Sequence, residues 1–84
     1  MSSGKFIVTN PHGLHARPAV LFVQAAVRHA AAVRLRKGDR IADGKSVLGM
    51  LTLGVKCNDV VTLEVEDGDH ELISRLGELL GKQV

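Results

Sequence analysis

His15 and Arg17 sit in Asn10-Pro11-His12-Gly13-Leu14-His15-Ala16-Arg17-Pro18, a nine-residue stretch that holds both prolines of the chain and two of its four histidines. Pro11 and Gly13 force a turn, and Pro18 is tolerated only in the first turn of a helix, where backbone N–H groups have no intrahelical partner. His15 therefore falls at or beside an N-cap. The N–H groups of Ala16 and Arg17 should point out of the positive end of the helix dipole, next to a guanidinium and an imidazole. An imidazole attacks only when neutral, the prevailing form of the free ring at neutral pH, and positive neighbours favour that form. Once a phosphoryl group has been taken up, the same donors stabilise its charge. This is an anion cradle with a nucleophile inside it.

No catalytic partner accompanies that nucleophile. His12 and His15 lie three apart across Gly13 with no carboxylate or thiolate nearby, so neither a metal site nor an acid–base pair can be assembled. The pattern predicts a carrier without turnover of its own, needing no cofactor.

A second stretch has its own chemistry. Asp43-Gly44-Lys45-Ser46 turns the chain into Val47-Leu48-Gly49-Met50-Leu51-Thr52-Leu53-Gly54, a two-turn helix with Ser46 as N-cap and Gly54 as stop. If Val47, Met50 and Leu53 line one side, Leu48 and Leu51 project from another, and an exposed apolar patch on a small domain marks a docking surface. A phosphate on Ser46 would sit at the positive end of that helix, beside the patch.

The remaining elements must position these two stretches. Residues 5–9 are β-branched and aromatic and stop at Asn10-Pro11, which predicts a first strand leading into the cradle. Ala16, Ala19, Val20, Val23, Ala26 and Val27 have the spacing of one buried helical face, with the helix ending near Arg28-His29. Residues 31–37 alternate, Val33 and Leu35 against Arg34 and Arg36. Gly38-Asp39 turns them into a short strand at 40–42. Asn58 suits a positive φ. Residues 60–66 alternate again, with Glu64 and Glu66 outward to complement Arg34 and Arg36 if the two strands are neighbours. Asp69 caps a last helix whose inner stripe is Leu72, Ile73, Leu76, Leu79 and Leu80, and whose last turn Gly77 and Gly81 should fray. The order strand, helix, strand, strand, helix, strand, helix predicts an α+β domain, an antiparallel sheet with helices on one face.

Composition sets the setting. The 84 residues are 45% hydrophobic with two phenylalanines, which predicts a single domain, 1–84, with an aliphatic core. The lone Cys57 excludes an intrachain disulfide and suits a reducing cytoplasm. No signal-peptide pattern opens the chain, and the longest mostly apolar run, 19–27, is far short of the about 20 residues of a membrane span. The reading is a cytoplasmic protein without membrane insertion. A net charge of +2 without stacking aromatics argues against nucleic acid.

Gly13-Leu14-His15-Ala16-Arg17-Pro18-Ala19, followed at the right spacing by 44–54, closely resembles the HPr family, histidine phosphocarriers of the bacterial sugar phosphotransferase system, over essentially the whole chain. The resemblance implies an open-faced β-sandwich, a four-stranded antiparallel sheet of order 1-4-2-3 with three helices on one face, acting as a monomer. It implies that His15 accepts phosphate on Nδ1 from phosphorylated enzyme I and passes it to enzyme IIA domains, with Arg17 assisting. It further implies Ser46 as a regulatory site for HPr kinase/phosphorylase, a transcriptional regulator among the partners, and Val47, Leu48 and Leu51 as docking residues. His12 stands where relatives carry a small polar residue, which places a second titrating group near the phosphate. Two alternatives remain at this point: a nitrogen-type regulatory carrier, and a binding module that is never phosphorylated.

Overall fold

Alternating apolar and polar side chains build the sheet. The computed structural model describes residues 2–84. Its elements are β1 (Ser2–Val8), α1 (Ala16–Ala26), β2 (Val33–Lys37), β3 (Arg40–Asp43), α2 (Val47–Thr52), β4 (Val60–Val65), α3 (His70–Glu78) and β5 (Gly81–Gln83). Every strand pairing is antiparallel, in the order β3-β2-β4-β1-β5. Phe6 and Val8, Val33 and Leu35, and Val61, Leu63 and Val65 share the buried face. There they meet Ala19, Phe22 and Ala26 of α1, Met50 of α2, and Ile73 and Leu76 of α3 in one core cluster.

The predicted neighbours β2 and β4 do pair, with Arg34 directly opposite Glu64. Arg34 Nε lies 3.6 Å from Glu64 Oε1 and Arg36 Nε 3.5 Å from Oε2, so one carboxylate bridges two guanidinium groups on the outer face. Partly exposed pairs of this kind are each worth at most about 1 kcal/mol, so they support the register more than the stability.

Two expectations need correction. The four-stranded order 1-4-2-3 is present, but the sheet has a fifth strand: Gly81 and Gln83 pair with Val8 and Phe6 on the outer edge of β1. Where a fraying helix end was expected, α3 stops at Glu78 and the chain turns to cover that edge. The other correction concerns α1, whose buried residues are Ala19, Phe22 and Ala26, whereas Val20 and Val27 are exposed. The helix is rotated so that its one aromatic residue enters the core, because a phenyl ring removes more apolar area from water than a valine does.

Caps behave as read. Asp69 Oδ1 accepts from Leu72 N–H at 2.8 Å, and Ser46 Oγ accepts from Gly49 N–H at 3.0 Å. Gly77 does not. By helix propensity it is a defect, and alanine would gain about 1 kcal/mol. In the structure an added Cβ would fall inside the ring of Phe6, itself fully buried. Gly77→Ala is therefore expected to destabilise by about 1–3 kcal/mol, the range for overpacked cores, measurable as a lower urea midpoint. A stabilised variant would refute the packing account.

The loop before β4 backs the first strand's exit. Lys37 Nζ sits 2.9 Å from Asp59 Oδ2, which also accepts the Lys56 N–H at 2.8 Å. The Lys37 hydrogen bond, then the Lys56 N–H, hold the Asp59 carboxyl below its ordinary value of 3.8. A depressed folded-state pKa means stability that is present above the unfolded value and lost as pH falls through the folded one. Asp59→Asn should thus lose a small increment at neutral pH and show a flatter stability profile below about pH 4, read by urea melts across that range. An unchanged profile would remove Asp59 from the acid response.

Candidate functional site

Local turn chemistry places the nucleophile. Asn10 Oδ1 accepts the His12 N–H at 2.9 Å and Asn10 O accepts the Gly13 N–H at 2.8 Å, folding residues 10–13 into a tight turn. Gly13 has φ +69°, and a side chain there would strike the backbone of Val55 and Lys56. Leu14 is buried and its N–H donates to Val55 O at 3.0 Å, so the loop is pinned to the core just before His15.

His15 is the N-cap of α1, in extended conformation, and its side chain makes no capping hydrogen bond. The imidazole is therefore not consumed by a structural role. The first intrahelical bond is Ala19 N–H to His15 O at 3.1 Å. Pro18 has no N–H, so the donors left over at this end are those of Ala16 and Arg17, both on exposed residues. The first turn of α1 contains no acidic residue.

His15, Ala16, Arg17 and Pro18 line one open depression with Asn10 and His12, and Leu21, Glu78 and Leu79 complete it. The rings of His12 and His15 meet edge to face with centroids 5.7 Å apart. A shallow depression of this kind presents a group to a partner and does not enclose a substrate. An anion bound on His15 would face the positive end of α1 and the Arg17 guanidinium together. Among the described residues, no group of three or more His, Cys, Asp or Glu side chains is placed to hold a metal. No helix among them is long and apolar enough to cross a membrane.

A family model described as the PTS HPr component phosphorylation site matches residues 2–82. The chain belongs to the HPr family. The phosphocarrier protein HPr of Lysinibacillus sphaericus is 38% identical over 71 residues, covering 84% of this chain and 81% of that one. The multiphosphoryl transfer protein of Xanthomonas campestris pv. campestris is 37% identical over 73 residues, which cover 86% of this chain and 9% of that protein, so the chain spans about a tenth of that relative's length. The crystal structure of HPr-C-His from Thermoanaerobacter tengcongensis superposes with a TM-score of 0.85 at 38% identity, covering 95% of this chain and 91% of the other.

The other residues expected from the HPr resemblance lie apart from the depression. Ser46 is half-buried at the start of α2, its Oγ engaged as acceptor from the Gly49 N–H. Leu48 is 74% exposed, whereas Val47 and Leu51 are half-buried and packed against the core. The patch is narrower than expected, because Val47 and Leu51 pack against the core and α1 lies against α2. Sequence reasoning missed Leu21, Glu78 and Leu79 as neighbours of His15. The spacing puts Leu79 on the inner stripe of the last helix, yet it is 38% exposed. No local signal places the end of α3 beside the start of α1; only the packing does.

Proposed function

We propose that the chain, acting as one domain over residues 1–84, carries a phosphoryl group on His15 between proteins of the phosphotransferase system. The observation that supports this best is an N-cap imidazole free of any capping bond, beside two unpaired helix N–H groups and the Arg17 side chain. In the forward step a His15 ring nitrogen, Nδ1 by family likeness, attacks phosphorus on the phosphohistidine of enzyme I. The new P–N bond forms as the old one breaks, and the departing imidazole of enzyme I keeps the electron pair. Ala16 N–H, Arg17 N–H and the guanidinium then hold the phosphoryl oxygens. The same chemistry in reverse order delivers the group to a histidine of an enzyme IIA domain. The open depression suits two successive partners at one imidazole, in the cytoplasm where these partners work.

Regulation belongs to Ser46 in this reading. A phosphate there would gain from the α2 dipole while setting a dianion beside Leu48, altering docking without unfolding the domain.

The test is direct. With enzyme I, Mg²⁺ and phosphoenolpyruvate, the intact mass should rise by one acid-labile phosphoryl group and fall again when an enzyme IIA is added. Failure to charge with several competent enzyme I preparations would sink the carrier reading and leave the unphosphorylated binding module. An acid-stable phosphate on Ser46 after treatment with HPr kinase and ATP would support regulation; an unreactive serine would leave it only as a cap.

A further inference from the structure

His12 plays no part in the steps above, yet it is built into the same site. Its backbone is held by the Asn10 side chain, and the next residue is the glycine whose positive φ and lack of space for a Cβ define the turn. Its ring meets the His15 ring edge to face at 5.7 Å, and both line the depression into which a phosphoryl group on His15 would extend. The other charged side chains lining that depression are Arg17 from α1 and Glu78 from the end of α3. These two are of opposite sign, which leaves a titratable imidazole as the remaining group able to add positive charge there.

We infer that His12 is a positioning residue for the phosphoryl group: once His15 is charged, the imidazolium of His12 donates a hydrogen bond to a phosphoryl oxygen. The inference rests on the carrier reading. No bond changes beyond uptake of one proton from solvent by the His12 ring. Before charging, His12 shares the depression with Arg17 and Glu78, whose opposite charges supply no net charge that favours an imidazolium. After charging it faces a dianion, which does. Protonation of His12 and phosphorylation of His15 then favour each other, and by linkage the effect is the same in both directions. Lowering pH through the range of histidine titration should therefore favour the charged carrier, and an alkaline pH should favour discharge.

Charging with phosphoramidate needs no partner protein, so this test is independent of enzyme I. The singly phosphorylated protein is purified, its phosphate located by ³¹P NMR, and the His12 ring resonance, assigned with His12→Ala, followed against pH in charged and uncharged protein. The His12 midpoint should rise by about half a unit or more on charging, a roughly threefold effect on the charging equilibrium. His12→Ala should lose that threefold pH dependence between about pH 6 and 8 while still accepting phosphate on His15. A midpoint that does not move on charging, or phosphate found on His12 itself, overturns the inference. Failure of enzyme I to charge the parent protein counts against the carrier reading instead.

Discussion

His15→Ala is expected to abolish charging by enzyme I while leaving the free energy of unfolding within about 1 kcal/mol of the parent. The two halves have separate causes. Charging is lost because no other histidine stands at the N-cap of α1: His12 lines the same depression but sits in the turn before the cap, His29 follows the other end of α1, and His70 opens α3. Stability is spared because the His15 side chain makes no capping bond and is not buried, so its removal leaves no unsatisfied donor and no cavity. Ser46 makes the contrast, since its Oγ does cap and its removal would cost about 1 kcal/mol. Intact mass after incubation with enzyme I and phosphoenolpyruvate reads the first half, and urea denaturation the second. An acid-labile phosphate persisting in the variant would move the acceptor away from His15.

Gly13→Ala is expected to damage fold and site together, by about 3 kcal/mol of stability and a roughly tenfold or greater loss of charging rate. The backbone at this position has φ +69°, where a Cβ is strained. The new atom would also collide with Val55 O and lie 2.8 Å from Lys56 Cα, and neither can rotate away as a side chain would. Relief requires the loop to lift from Val55, breaking the Leu14 N–H to Val55 O bond that pins His15 against the core. The imidazole then loses its fixed place beside the Ala16 and Arg17 N–H groups. A time course of charging by mass, set beside urea melts of the same preparation, separates misplacement from unfolding. A variant with parental stability would show that the turn relaxes more easily than its contacts indicate.

Both predictions draw on features that were readable in different degrees. The cap at His15 was legible because Pro18 and Gly13 constrain the backbone within a few residues of themselves. Asn58 follows the same logic, with φ 72° as its residue type allows. The strands at 33–37 and 60–65 were legible from period-two alternation, and their adjacency from the complementary charges of Arg34, Arg36 and Glu64.

Local pattern failed where a helix carries apolar residues on more than one face or where pairing is with a distant segment. In α1, Phe22 and Val20 lie on different faces of the helix, and the spacing of the valines and alanines hid the face on which the larger phenyl ring turns inward. Gly81-Lys82-Gln83 has no strand signature of its own. It becomes β5 because β1 offers an open edge and glycine lets the two backbones approach. Gly77 looks like a weak point of a helix until Phe6, 71 positions earlier, is seen to occupy its place.

By itself the sequence determined that an imidazole stands at a helix N-terminus beside an arginine, since turn, cap and proline rules act over a few bonds; that it makes no capping bond came from the structure. Only the tertiary structure decided what surrounds that imidazole. Packing brought Glu78 and Leu79 across from α3, set Leu51 against the core, and left Leu48 as the exposed large apolar side chain of α2. Those placements depend on which faces of distant elements exclude water together, and that is a property of the assembled core.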